Sequence, residues 1–223
     1  MTEAGGRDGV AAAVGPRSEA RSEGLARPGI LLLVALTVTW GLNWPMMKLA
    51  LQEVQPWAFR SLCLMVGGLS LLALTRASGA RVAFPSARLG PLALVAVFNI
   101  TAWHLLSAYA LLKTGSGRAA IIGYTMPLWA APLSVLVLGA RLTLRQVLAL
   151  TSGMVALALL VGQDLTVVGS APVGALLMAG AALSWAIGTV LVKKFAWDGM
   201  AVMALTGWQQ LIGGLPIVLG WWL

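Results

Sequence analysis

The sequence predicts an all-α polytopic membrane helix bundle, built from inverted five-helix repeats, with seven of an expected ten spans present. Three observations carry that reading. The chain is 59% hydrophobic and only 10% charged over 223 residues, more apolar surface than a soluble domain needs. The apolar residues fall into separate runs, each near the ~20 residues that cross a hydrocarbon core. Two stretches, Trp40-Gly-Leu-Asn-Trp-Pro-Met-Met-Lys48 and Trp185-Ala-Ile-Gly-Thr-Val-Leu-Val-Lys193, repeat a tryptophan and a lysine at one spacing, offset by 145 positions at both ends. Self-similarity over that distance, with apolar segments between the copies, points to a duplicated membrane domain.

Residues 1–28 are rich in Ala, Gly, Arg, Ser and Glu, with few large apolar side chains. Such a segment cannot bury enough surface to offset chain entropy, so a disordered cytoplasmic tail is expected. It does not read as a cleaved signal peptide, because the first apolar run ends in Trp40-Gly-Leu-Asn-Trp44 without a small-x-small site. Seven spans follow, at 29–51, 54–74, 89–112, 118–139, 146–162, 173–192 and 200–222. The fifth is the shortest. The connections 75–88 and 163–172 carry Arg, Gly, Ser, Pro and Asp, which are turn and breaker residues. Helices are the expected spanning form, since the runs lack the period-two alternation of a barrel strand.

Orientation follows from lysine and arginine. With the N-terminus inside, the cytoplasmic side holds the tail arginines with Arg76, Arg81, Arg88, Arg141, Arg145, Lys193 and Lys194. The outer side keeps Lys48, Arg60, Lys113 and Arg118. That asymmetry places the N-terminus in the cytoplasm. The first signature then lies on a span running outward and the second on a span running inward. Five spans per repeat is an odd number, so the second unit, 172–223, is inserted upside down relative to the first, 29–162. This is the inverted arrangement of many secondary transporters, with a site near the midplane. The chain stops at Trp221-Trp222-Leu223, so about three spans of the second repeat are expected to be missing.

The net charge of +8 does not indicate nucleic acid, because the basic residues cluster between apolar runs as the positive-inside rule requires. The expected partners are the lipid bilayer, a small-molecule substrate, and either a second copy or the missing C-terminal helices. The single cysteine, Cys63, excludes an intrachain disulfide and a cysteine metal cluster. One histidine, no paired acids within spans and no glycine-rich phosphate loop leave no catalytic residues, no metal site and no cofactor to assign.

Polar side chains in hydrocarbon are expensive and mark pathway candidates. Lys48 and Lys193 sit at helix ends, where snorkelling accounts for them as well as a role at opposite mouths of one pathway. Arg60 lies about two turns into span two. Asn43 stands one turn from Trp40 and Met47, and Trp44 one turn from Trp40 and Lys48, beside the Pro45 kink, and together they read as an aromatic and amide wall. Asn99 and Trp103 share a face of span three, while His104 is turned about 100° away beside Ser107. Tyr124 on span four, with Trp208 and Gln209 on span seven, completes the lining; Trp185 and Lys193 are the second-repeat counterparts. Interhelical hydrogen bonding explains Asn43 equally well, and a lone histidine is often a core residue.

These residues resemble the EamA-type branch of the drug/metabolite transporter superfamily. The resemblance rests on Trp40-Gly-Leu-Asn with Lys48, Pro56-Trp-Ala-Phe-Arg60, Trp103-His104 with Ala108-Tyr109, Gly117-Arg-Ala-Ala-Ile-Ile-Gly-Tyr-Thr-Met-Pro-Leu-Trp129 and Gly139-Ala-Arg-Leu-Thr143. It covers roughly 30–223. It implies ten helices in two inverted repeats, a bacterial-type inner (plasma) membrane location and movement of small metabolites. The family usually has glutamate where this chain has Ala140, which removes a partner for Arg141 or its neighbours. The expected function is a secondary transporter, an exporter, working by alternating access. The rival readings are a truncated, non-transporting relic or partner subunit and, further off, an integral-membrane enzyme, for which no nucleophile–base pair is visible.

Overall fold

The first helix, α1 (Arg27–Glu53), runs through Pro45 without a break. The computed structural model describes residues 27–84, 86–162, 172–197 and 199–223. The expected tail therefore lies outside the described residues except at its end, where the helix begins at Arg27 rather than after Pro28. Contacts divide the chain into Met1–Trp40 and Gly41–Leu223. In the first unit, the opening of α1 exposes Leu31, Leu32 and Leu36, the surface a lipid-facing helix needs. The hydroxyls of Thr37 and Thr39 donate to the carbonyls of Leu33 and Ala35 at 2.8 and 2.7 Å, which hides their polarity against the helix itself.

In the second unit, α2 (Pro56–Ala77) follows after only Val54 and Gln55. Pro56 opens it at the first turn, where its missing N–H costs nothing, and Arg76 sits at its negative end. A 3-10 turn (Ser86–Arg88) leads into one long span made of α3 (Leu89–Ala96), a π segment (Val97–Ala102) and α4 (Trp103–Lys113). The next span is broken: α5 (Ser116–Gly123) and α6 (Met126–Leu138) are separated at Tyr124–Thr125. Pro127 is the cause, because its ring clashes with the carbonyl four residues back and it has no N–H to donate. Gly139, at φ 64°, ends α6 in the left-handed conformation. The remaining helices are α7 (Leu144–Gly162), α8 (Pro172–Lys194) and α9 (Val202–Trp222). Thr143 and Gln146 cap α7 reciprocally, with the Thr143 N–H donating to Gln146 Oε1 at 2.8 Å and the Gln146 N–H to Thr143 Oγ1 at 3.3 Å.

The seven expected spans correspond to these helices in order, and among the described residues no strand forms. Six helices are long and apolar enough to cross a membrane; α7 is the seventh candidate.

α8 is the hub, packing on α4, the π segment, α5 and α6, while α9 lies along α2 and against α3 and the π segment. Glycines set both approaches. A Cβ on Gly68 would stand 3.1 Å from the Gly207 carbonyl oxygen, and one on Gly207 equally close to that of Gly68. Such backbone contact is how helices associate where lipid offers no hydrophobic drive. Gly174 lies against Lys113 and Thr114, Gly180 against Leu106 and Gly188 against Asn99, so α8 runs antiparallel to the 86–113 span.

Candidate functional site

From Gly41 onward α1 joins α4, α5 and α8 in one core of Trp44, Met47, Leu51, Leu111, Ala119 and Met178. Spans one, three, four and six therefore meet. They meet as packed side chains with polar groups set among them.

Trp44 is buried, and its indole N–H donates to the Tyr124 hydroxyl at 3.2 Å, with the rings edge to face. The helix break beside Pro127 holds Tyr124 at that position. Its own ring is half exposed, on a cavity of about 430 Å³ lined by Ile121, Thr125, Leu128 and Gly153. One layer further along α8, Trp103 lies against Trp185 with ring centroids 5.3 Å apart. Next to it Asn99 packs on Gly188, where a Cβ would overlap the amide. Both thus face α8, as their spacing predicts. The Asn99 amide N–H donates to Gln209 Oε1 at a long 3.5 Å, and its own oxygen is buried without a partner. Around it the π segment is tied to its neighbours: Ser184 donates to the Phe98 carbonyl at 2.8 Å and Thr101 to the Gly213 carbonyl at 2.6 Å. A widened turn held in this way is a frequent companion of function.

Arg60 is 6% exposed. Its Nη2 donates to the Met47 thioether at 2.6 Å and the Ser107 hydroxyl at 3.2 Å, while Nε has no partner. The guanidinium carbon is 5.4 Å from the Phe59 ring centre. Ser107 donates to the His104 carbonyl at 3.3 Å, and the buried His104 Nδ1 is unpartnered. Lys48 Nζ donates to the carbonyls of Leu111 and Thr114, the latter at 3.1 Å. It thereby satisfies the open end of α4, which is a structural use of the charge.

Several candidates lie elsewhere. Asn43 is exposed, since Trp44, Met47 and Leu51 define the inward face of α1. Trp40 falls in the first unit, half exposed. Trp208 stacks edge to face on Phe84 at 4.9 Å, toward the 75–88 connection. Lys193 is exposed at the end of α8, and α8 begins beside Thr114, where Lys48 is bound. The two signature lysines therefore stand at opposite ends of the bundle. Sequence reasoning missed Met47 as an acceptor and the bond from the Trp57 indole to the Tyr109 hydroxyl at 2.7 Å. The only signal for the latter was a pair of aromatic polar groups, each needing a partner once buried.

Among the described residues, apolar helices enclosing buried amides, hydroxyls and a guanidinium make the build of a multi-pass membrane protein. Residues 27–162 match the EamA-like transporter family, and the chain belongs to it. It is 32% identical to the Bacillus subtilis "uncharacterized transporter YvbV" over 86% of this chain and 62% of that one. It is 22% identical to YoaV of the same organism, over 85% and 65%. With a Salmonella typhimurium "probable amino-acid metabolite efflux pump" it shares 26% identity, over 87% and 64%. The chain thus spans a little under two thirds of the length of these relatives. No solved structure gave a significant match.

Proposed function

We propose that this protein is a secondary transporter that exports small metabolites by alternating access, seated in a bacterial-type inner membrane with its N-terminus in the cytoplasm. The observation that carries the reading is the polar and aromatic seam between α4, α5, α8 and the second half of α1, continued by the π segment and α9. Trp44 with Tyr124, Trp103 with Trp185, and Asn99 with Gln209 are stacked there inside an otherwise apolar bundle. Residues 29–162 form the first repeat and 172–223 the start of the second. The opposed directions of α1 and α8 support an inverted relation between them, since α1 ends and α8 begins at the 113–114 connection. Export is favoured by the name of the Salmonella relative, and orientation by the charge bias of the connections.

The test is flux of amino acids and related metabolites in proteoliposomes. Trp103→Ala and Asn99→Ala should lower flux several-fold while the yield of monodisperse protein holds. Undiminished flux in both variants would reject this seam as the pathway, and absence of any flux with well-folded protein would reject transport by this chain.

A further inference from the structure

Among the described residues, Arg60 is the only charged side chain that is buried, and no acid faces it. The chain has seven acidic residues. Glu3, Asp8, Glu19 and Glu23 precede the spans, Asp164 and Asp198 fall in connections, and Glu53 is exposed at the end of α1. Both groups that Arg60 meets through hydrogen bonds, the Met47 sulfur and the Ser107 hydroxyl, are neutral. A guanidinium has five N–H donors. The two on Nη2 are engaged, and the one on Nε is buried without a partner.

The surroundings add positive potential. Arg60 sits in the second turn of α2, and helical side chains lean toward the N-terminus, here the positive end of the dipole. Lys48 is bound to the Leu111 carbonyl, four residues beyond Ser107 on α4, which places it about 6 Å nearer the bundle end. A buried cation near a second cation and a helix N-terminus, with a donor unused, is a site built for an anion.

We propose that Arg60 is the anchor for the carboxylate of the transported solute, and that the substrates are small carboxylate-bearing metabolites. The carboxylate takes the free Nε donor of the guanidinium, and the Ser107 hydroxyl, which accepts from Nη2, holds the fork in place. Lys48 attracts the anion at the mouth, and Phe59, Met47 and Trp44 receive the apolar remainder of the solute. This rests on the transporter reading for the word solute; the anion site itself does not depend on it.

The experiment uses the purified chain in nanodiscs, with thermal unfolding followed by tryptophan fluorescence. The probes are amino acids, N-acetyl amino acids and succinate, each paired with its primary amide. At least one carboxylate should raise the midpoint where its amide does not. Arg60→Gln should weaken that binding by about tenfold or more, because a charge-assisted pair is lost. Arg60→Lys should retain only part of the affinity, since a point charge replaces a fork. Lys113→Gln, an exposed charge at the same end, should bind as the parent does. If Arg60→Gln does not fold, Ser107→Ala keeps the charge and should still weaken carboxylate binding by about threefold.

The proposal fails if no carboxylate is preferred over its amide, if folded Arg60→Gln binds carboxylates undiminished, or, where Arg60→Gln does not fold, if Ser107→Ala leaves affinity unchanged. Flux in vesicles separates the two readings. Carboxylate binding without flux keeps the anion site and rejects transport; flux of neutral solutes that Arg60→Gln does not alter keeps transport and rejects the anchor.

Discussion

At Gly188 a single methyl group has nowhere to go, because a Cβ there would overlap the amide of Asn99. Gly188→Ala should cost about 1–3 kcal/mol through overpacking, read as a lower unfolding midpoint in detergent. Gly90→Ala is the matched control: nothing lies within 4 Å of its Cβ position. There the midpoint should hold or rise, since alanine is the better helix former by up to ~1 kcal/mol. Ala140→Glu should add at most ~1 kcal/mol, because the Arg141 charge it would meet is exposed; an unchanged or lower midpoint would remove the structural role for the acid. At this scale the sequence was a good guide to which side chains matter. Trp44, Arg60 and Asn99 stand out because each must find a partner once inside an apolar span. Their partners were not legible: Tyr124, Met47 and Gln209 come from other helices, at separations no local periodicity encodes.

Elements were legible to the extent that their causes are local. Span boundaries follow from apolar runs, Pro56 and Gly139, and the α7 start follows from Thr143 and Gln146 capping one another. Thr143→Ala should therefore cost about 1 kcal/mol, seen as faster hydrogen exchange over the first turn of α7. Pro127 accounts for a break in span four, yet its place at Tyr124–Thr125 depends on the Thr125 hydroxyl. That group donates to the Ile122 carbonyl at 2.7 Å and accepts the Trp129 indole N–H at 3.1 Å. Pro127→Ala restores a donor to the Gly123 carbonyl, so exchange at 124–129 should slow as the turn rewinds. Unchanged exchange there would mean that the packing of Trp44 on Tyr124, and not the proline, keeps the helix open. The π segment had no sequence signal, since Val-Phe-Asn-Ile-Thr-Ala contains neither proline nor glycine.

For the whole molecule the testable statement is topology. In a background lacking exposed Cys63, a cysteine at Arg81 should resist an impermeant reagent in intact cells and one at Gly115 should react; labelling at Arg81 would overturn the orientation. The number of spans, their helical form and the placing of Lys48 and Lys193 at opposite ends were determined by sequence alone. Each follows from a local rule: backbone groups in lipid must bond within their own segment, and a run of given length either spans or does not. Which helices touch was decided only in the tertiary structure. Lipid chains are as apolar as leucine, so hydropathy cannot rank one helix neighbour over another. Contact is chosen by fit, through Gly68 against Gly207 and Gly188 against Asn99, and fit exists only once both helices are in place.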